Sequence, residues 1–427
     1  MSEAEIFFSS VKELKSIVDQ CYFDQKGEAL SIHKCLKVEQ EEENKTVFSS
    51  FSPNFFYYQR IFYHNEDSGG TKGFSILPDH HSLRVTLNSF EKGKYKTLTL
   101  RSKKGFLTLS ADEEYDTEKE ELANKNIDNC HQYIGVSSDF PEYTPLSEET
   151  YIGSISENNF QNLLRGVKEF GGVEDNNKEV FLFQLIKDRA LLTSHNGLNK
   201  SAYILISKEG SINTQTKFFL ERRVIPKLSG IANIEKDEVV TIYEDEDWVE
   251  FRGRKGRLKI KTSEPINQFT QAQNLLVSKE QQKLLSKRVV SLKELTRPLG
   301  YYEAKQVIKV LIDQYENSSL NILIPDQQST LNTSTVELNI EGSQGDWKPI
   351  LVVSFVLKAL IETLEKEIKN SEESIEEIEI EERELKDNPG NLILYLRIND
   401  SRFDNEIGGL IKVTDAEYAL DQLGADD

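Results

Sequence analysis

Residues 218–261 read FFLERRVIPKLSGIANIEKDEVVTIYEDEDWVEFRGRKGRLKIK. This stretch opens with a short apolar strand at Phe218–Leu220. A helical segment follows, in which Val224, Leu228 and Ile231 fall on one face and basic side chains fall on another. Three segments of alternating polarity come next, joined by short polar turns, and this pattern predicts a β-meander. The unit is therefore a strand, a basic amphipathic helix and a meander.

The same unit recurs along the chain. The first helix of each copy is predicted to begin near residues 7, 157 and 302. The second helix of each copy is predicted to begin near residues 79, 222 and 354. Corresponding helices thus lie about 130 to 150 residues apart, and this regularity indicates structural repeats.

The repeats predict an α+β fold of three domains. We place the domains at residues 1–148, 149–270 and 271–427, and each is expected to pack two helices on antiparallel sheet. The polar, helix-prone segment Gln268–Lys287 is the expected connection to the last domain. A length of 427 residues is sufficient for two to three domains.

Targeting and redox signals are weak. The N-terminus MSEAEIFF carries acidic residues before a very short apolar run, which does not resemble a signal peptide. No apolar stretch approaches the roughly 20 residues of a membrane-spanning helix. The three cysteines, Cys21, Cys35 and Cys130, are widely spaced, which predicts buried free thiols. We therefore expect a soluble, cytoplasmic protein that does not bind a membrane.

The formal net charge is −20, which argues against a protein that coats nucleic acid with its whole surface. A basic patch on a single face remains compatible with it. Part of the excess is local, because residues 365–387 hold eleven acidic and four basic side chains. We interpret this segment and Glu113–Asn129 as polar insertions. The acid–isoleucine alternation of residues 372–384 fits a charged helix, a flap that imitates DNA, or a solvated excursion.

Four segments carry a resemblance to a known family. They are Gly105–Ser110 (GFLTLS), Ser138–Pro141 (SDFP), Phe219–Leu228 (FLERRVIPKL) and Ile350–Leu360 (ILVVSFVLKAL). Their order and spacing across three repeats resemble the bacterial DNA polymerase III beta subunit, the sliding clamp. The resemblance covers nearly the whole chain.

The resemblance implies a specific architecture. Clamps of this family are head-to-tail homodimers that close a six-domain ring around duplex DNA, with helices lining the hole. Their contacts to the phosphate backbone carry no sequence information, so the ring can slide. The basic residues on the corresponding helices here are Lys12, Lys15, Arg84, Arg165, Lys168, Arg222, Arg223, Lys227, Lys305, Lys309 and Lys358. The alternative is that these side chains belong to ordinary solvated helix faces.

The resemblance also implies a pocket for peptides of polymerase or clamp-loader proteins. The family carries a Thr-Asp-Gly-His-Arg-Leu-like loop there, whereas this chain reads Thr193-Ser-His-Asn-Gly-Leu198. The family also ends in a Met-Pro-Met-like strand, which this chain lacks. Our candidates for the pocket are Thr193, Leu198, Pro265 and Ile411.

No pattern of residues predicts catalysis. The sequence has no phosphate-binding loop, no HExxH and no GxSxG motif. His80 and His81 are adjacent, so they point about 100° apart on a helix and form a poor metal pair. We therefore expect no metal, no cofactor and no enzymatic activity.

Two functional hypotheses follow. The first is a DNA sliding clamp, a processivity factor that encircles duplex DNA. The second is a clamp-fold protein that serves as a non-encircling interaction or regulatory scaffold, for example in a mobile element or a defence system. The altered loop at residues 193–200, the C-terminus and the acidic segment motivate the second hypothesis.

Overall fold

The structure is a computed structural model, and the residues that it describes include most of the helices and strands. They are residues 4–22, 34–52, 56–64, 69–103, 106–112, 127–132, 140–170, 180–186, 189–196, 201–208, 211–212, 216–232, 238–262, 282–299, 309–316, 319–325, 331–353, 357–358, 360–362, 364–365, 377–386, 388–398 and 407–415.

The chain divides into two units. The first comprises Met1–Ile152, Ser156–Asn158 and Pro226–Thr262, and the remainder forms the second. The first unit therefore takes in the meander predicted from the opening stretch. This division follows spatial contact and not the repeat, so the limits of the three domains stay a prediction.

The first unit contains two antiparallel sheets. One has the strand order β5 (Gly69–Gly70), β1 (Ala4–Phe8), β7 (Thr97–Lys103), β8 (Phe106–Asp112) and β9 (Ile127–Gln132). The other includes, in order, β16 (Val239–Glu244), β17 (Trp248–Gly253), β18 (Gly256–Lys261), β4 (Phe56–Tyr63), β3 (Lys45–Ser52), β2 (Lys37–Glu42) and β6 (Ser75–Ile76). The predicted meander and the hairpin of β7 with β8 are confirmed.

Helices α1 (Val11–Cys21) and α2 (His80–Lys92) pack together in this unit. Apolar side chains such as Leu14, Val18 and Leu87 are buried, as the helical spacing of the sequence predicts. Helix α4 (Ile225–Ile231) follows a 3-10 turn at Arg222–Val224. Cys21 and Cys35 are buried and do not form a disulfide, which confirms the prediction for these two cysteines.

The second unit is built on one extended antiparallel sheet. Its order is β15 (Thr216–Glu221), β11 (Val180–Ile186), β12 (Arg189–Asn196), β13 (Ser201–Lys208), β26 (Ile407–Asp415), β23 (Ile350–Val353), β20 (Lys309–Glu316), β21 (Ser319–Pro325), β22 (Leu331–Gln344), β19 (Gln282–Ser291), β24 (Glu377–Leu385) and β25 (Asn388–Arg397). Strand β25 pairs with β26 as well. Strands β10 (Tyr151–Ser156) and β14 (Ser211–Ile212) pair at Gly153 and Ile212. Helices α3 (Glu157–Phe170) and α5 (Leu292–Leu299) belong largely to this unit, together with helical residues between 357 and 365.

The prediction of the first helix of the third repeat is wrong. The structure has a helix at Leu292–Leu299 and a strand at Lys309–Glu316, with residues 300–308 outside the described part of the chain. Apolar residues in KVLIDQYE also fit a strand, and Ile312 lies between Ile322 and Ile350 in the sheet. Lys309 consequently lies in a strand, not on a helix.

Three further expectations need correction. Residues 282–287 of the predicted connection belong to β19, and residues 127–129 of the predicted polar insertion belong to β9. The acidic segment is the largest error, because its residues 377–385 form β24, between β19 and β25 in the sheet. Its acid–isoleucine alternation has a period of two, which is the period of a strand and not of a helix.

Two carboxylates of β24, those of Glu379 and Glu381, are buried and paired. Glu379 accepts a hydrogen bond from Arg397 at 2.6 Å and also pairs with Lys287. Glu381 lies 2.5 Å from the Arg383 guanidinium and 3.1 Å from that of Arg397. Only 2% of each glutamate is exposed. These acids are neutralised by cations within the same sheet, so the hypotheses of a solvated excursion and of a DNA-imitating flap are wrong for this strand.

The segment that joins the first two repeats is held on the meander by a buried carboxylate. Glu250 accepts hydrogen bonds from the Tyr143 hydroxyl, from the Leu146 N–H at 2.6 Å and from Arg252 at 2.7 Å. Arg252 also donates to the Leu146 carbonyl at 2.5 Å and stacks over the Tyr243 ring. Burial raises the pKa of Tyr143, so this hydroxyl keeps its proton. Glu250 is therefore the anchor of residues 143–146.

Lys227 is buried, which contradicts its predicted place on a solvent-facing helix surface. Only 1% of the residue is exposed. Its ammonium group donates to the carbonyls of Gln20 at 3.0 Å, Cys21 at 3.3 Å and Tyr22 at 2.8 Å, and lies 4.9 Å from the Phe56 ring centroid. The last turn of α1 has no basic residue of its own. Lys227 thus completes the C-terminal end of α1, where backbone carbonyls lack partners within the helix.

Replacement of Lys227 with Met tests this structural role. We expect Lys227→Met to lower the free energy of unfolding by about 2 kcal/mol, because the carbonyls at the end of α1 lose a buried donor. The control is Lys12→Met on the same helix, where the exposed side chain predicts a change within about 0.5 kcal/mol. Chemical denaturation measures both. Equal stability of the two variants would contradict the capping role.

Replacement of Arg397 with Met tests the ion pairs of β24. Removing this shared cation leaves Glu379 and Glu381 incompletely neutralised, and we expect a loss of about 3 kcal/mol in the free energy of unfolding. The matched control is Arg101→Met, since Arg101 and Glu5 form an exposed pair at 3.0 Å that contributes about 0.5 kcal/mol or less. A loss at Arg397 no larger than that at Arg101 would overturn this reading of the acidic strand.

Candidate nucleic-acid interface

Helices α1 and α2 present the exposed face that the sequence predicts for DNA contact. Each begins with a capping side chain: Ser10 accepts from the Glu13 N–H at 3.2 Å, and Asp79 accepts from the Ser82 N–H at 2.7 Å. The caps and the buried apolar side fix the outward side of both helices. Lys12 lies fully on that outward side.

Two of the predicted DNA-contacting cations share one carboxylate. Asp19 lies 3.1 Å from Lys15 and 2.5 Å from the Arg84 Nε. The Arg84 guanidinium also lies 4.4 Å from the Tyr22 ring centroid, and Lys15 forms a second ion pair with Glu91 at 3.2 Å. The structure therefore brings Lys15 and Arg84 together, but in a cluster that contains as many acids as bases.

The cluster keeps Lys15 charged. The hydrogen bond to Asp19 raises the pKa of Lys15, so this ammonium group stays protonated across the physiological range. The side chains of Lys15, Asp19 and Arg84 are all partly exposed. Ion pairs at such positions contribute about 0.2–1 kcal/mol, so a phosphate group can replace Asp19 as the partner at small cost.

Arg222 and Arg223 form a second exposed basic site. Both lie in the 3-10 turn between β15 and α4, and both are exposed. Arg223 is 2.5 Å from Glu221, which directly precedes the turn. The turn is anchored by Val224, whose side chain is buried. Two adjacent arginines on a one-turn element can reach neighbouring phosphates of one strand.

The remaining candidates are spread over the second unit. Arg165 and Lys168 lie in α3. Lys358 lies in the last helix and is 4.0 Å from Glu362. Lys305 lies outside the described residues. The structure thus supports helical placement for three of these four positions and leaves the fourth a prediction.

A basic turn beside α1 is absent from the residues predicted from the sequence. Lys92, the last residue of α2, is exposed, as are Lys94 and Lys96 in the segment that connects α2 to β7. The signal was available, because the run EKGKYK at residues 91–96 follows directly on the apolar pattern of α2. Helical spacing selects residues on the faces of helices, so it does not single out a turn that follows a helix.

Two of the four predicted pocket residues lie in one sheet. Thr193 of β12 is paired with Ile204 of β13, and Ile411 of β26 is paired with Tyr203 of β13. They therefore lie in adjacent register rows, on strands that flank β13. Leu198 and Pro265 lie outside the described residues. The pocket stays a prediction.

The described ranges hold no group of three or more His, Cys, Asp or Glu side chains that could bind a metal ion. His80 is buried beneath α1 and bonds to the Val18 carbonyl at 2.8 Å. Burial lowers the pKa of His80 to about 4, which keeps its ring neutral near pH 7. None of the helices in these ranges is long and apolar enough to cross a bilayer.

Comparison of the sequence with known proteins gives no family. No protein-family model matches the chain, and no curated protein matches it. Similarity to known proteins is therefore found in the comparison of structures and not in that of sequences.

Solved structures share the fold over almost the whole chain. A sliding clamp from Bacillus subtilis superposes with a TM-score of 0.63 and 12% identity, covering 97% of this chain and 99% of the other. The DNA polymerase III beta subunit from Borrelia burgdorferi, solved with a natural product, gives a TM-score of 0.62 and 13% identity over 96% and 97%. A sliding clamp from Pseudomonas aeruginosa, bound to griselimycin, gives 0.64 and 11% over 97% and 100%. The chain therefore has the fold of the DNA polymerase III beta subunits.

Proposed function

We propose that this protein is a DNA sliding clamp that encircles duplex DNA and tethers polymerase or repair proteins to it. The observation that carries the proposal is likeness to sliding clamps over 96–97% of this chain and 97–100% of theirs. Such coverage leaves no large part of a clamp unaccounted for. The function is non-enzymatic and is carried out in the cytoplasm.

The charge distribution supports contact with phosphates rather than with bases. Lys12 is exposed on α1, and Arg222 and Arg223 are each exposed in the turn before α4. Exposed cations of this kind can contact backbone phosphates. Lys15 and Arg84 add two cations that can exchange Asp19 for phosphate. Contacts of this kind hold the duplex without fixing a sequence register, which permits sliding.

The proposal includes a ring of two subunits and a peptide pocket. One chain has a mass of 49.0 kDa, so light scattering should give about twice that value for the head-to-tail homodimer. Thr193, Leu198, Pro265 and Ile411 are the candidates for the pocket, and polymerase or loader proteins are its proposed partners.

Comparison of circular with linear DNA tests encirclement directly. The protein is diluted to dissociate the subunits, reassociated in the presence of nicked circular plasmid, and passed through a sizing column at about 0.2 M salt, where nonspecific contacts weaken. We expect the protein to co-elute with circular plasmid and to be lost after a restriction enzyme linearises it, because a ring slides off free ends. Equal retention on circular and linear DNA, or retention on neither, would contradict a ring.

The double variant Arg222→Glu, Arg223→Glu tests the exposed basic turn. We expect its half-life on circular plasmid to fall about tenfold or more, since two attractive phosphate contacts become repulsive. The measurement is the same column assay, followed over time.

The matched control reverses the same number of charges elsewhere. Arg257 and Lys261 are exposed on β18, whereas Leu258 and Ile260 of that strand are buried in the core. Arg257→Glu with Lys261→Glu should leave the half-life unchanged. If both double variants lose retention equally, the effect reflects total charge, and the site assignment fails. A monomer without retention would favour the non-encircling scaffold.

A further inference from the structure

The turn after α2 has an unusual backbone. Helix α2 ends at Lys92, the Gly93 N–H donates to the Ser89 carbonyl at 2.9 Å, and the Lys94 N–H donates to the Glu91 carbonyl at 3.1 Å. Lys94 has φ 63°, and among the residues that the structure describes it is the one non-glycine with positive φ. Left-handed backbone is disfavoured for a residue with a long side chain, and Gly or Asn is the usual choice.

The glycine of this turn, Gly93, directly precedes the left-handed position and does not occupy it. Gly93 has φ −74°, which any residue can adopt. A Cβ atom at Gly93 would lie 2.6 Å from the Tyr95 ring, which packs against Phe90 with ring centroids 5.7 Å apart. Gly93 therefore gives room to Tyr95, while the strained position is occupied by a lysine. Nothing in the backbone of the turn requires a lysine there.

Several cations surround this position. Lys92 and Lys96 flank Lys94 and are exposed. The Lys96 carbonyl accepts a hydrogen bond from the Val11 N–H at 2.7 Å, so the turn lies against the start of α1, next to the exposed Lys12. Glu91, in the last turn of α2 just before these lysines, is paired with Lys15 at 3.2 Å.

We propose that Lys94 is a phosphate-contacting residue for duplex DNA, and that its side chain is the reason why the strained backbone is retained. The inference rests on the proposed function and adds to it a basic surface beside the starts of α1 and β7. The Lys92–Lys96 turn supplies three ammonium groups on a short, well-anchored element. Compact point charges of this kind bind backbone phosphate without reading bases.

The test is Lys94→Asn in the full chain. Asn tolerates left-handed backbone, so the thermal unfolding midpoint should be equal to or above that of the parent protein. Binding of a fluorescein-labelled 30-base-pair duplex is followed by anisotropy between about 50 and 200 mM salt. We expect the slope of log affinity against log salt to become shallower by about 0.9, so the ratio of affinities across this range falls about 3.5-fold.

Two controls separate charge from backbone strain and from location. Lys94→Arg keeps both the charge and the strain, and should keep the parental slope. Lys261→Asn removes an exposed lysine from β18 and should also keep it. A parental slope for Lys94→Asn, a lowered unfolding midpoint for that variant, or an equal effect of Lys261→Asn would each overturn the inference. A parent protein that shows no salt-dependent duplex binding would overturn it too.

The duplex-binding experiment and the plasmid test for a ring can fail independently of each other. A protein that binds duplex through Lys94 but is retained equally on circular and linear plasmid would keep this inference and overturn encirclement. Binding of both proteins, the parent and Lys94→Asn, to phosphatidylserine vesicles is measured as well. If Lys94→Asn weakens binding to the vesicles and not to the duplex, the surface is a membrane site and the inference fails.

Discussion

The pairing of β18 with β4 is the interaction on which the first unit depends. It places Ile260 opposite Phe56 and Leu258 opposite Tyr58, so the meander and the strands of the first repeat form one sheet. Close approach is required where the pairing ends, because a Cβ atom at Gly256 would lie 2.2 Å from the Gln59 carbonyl oxygen. A long-range pairing of this kind commits two distant parts of the chain to one core, which is why the first unit takes in Pro226–Thr262.

Buried polar side chains then fix what lies on that sheet. Lys227 satisfies the carbonyls at the end of α1, and Glu250 holds the linker at Tyr143 and Leu146. Both are charged groups removed from water, so each is tolerable only because several partners surround it. Their common effect is to set the position of α1 and of the linker in the first unit. The exposed cations of α1 therefore project from a helix whose two ends are fixed.

The local sequence pattern predicts helices and the meander well, but it does not predict which distant parts of the chain come into contact. Ser10, Asp79 and the alternation in β16–β18 act within a few residues, so the helices and the meander could be located from sequence. The strand at 377–385 was missed because its acids read as solvated, whereas Lys287 and Arg397, on the two neighbouring strands, neutralise Glu379. The burial of Lys227 has the same cause. Of the candidate site, the exposure of Lys12, Arg222 and Arg223 could be predicted, while the neutralising role of Asp19 could not.

The acidic strand changes how the net charge of −20 bears on DNA binding. Sequence alone counts every acid of residues 365–387 as part of a repulsive surface. Glu379 and Glu381 are instead buried beneath Arg383 and Arg397, and so contribute little field at the surface. Repulsion of a duplex arises from exposed acids, and attraction arises from exposed cations held on short, rigid elements. Net charge is consequently a poor guide here, because the position of each charge relative to the sheets decides whether a phosphate encounters it.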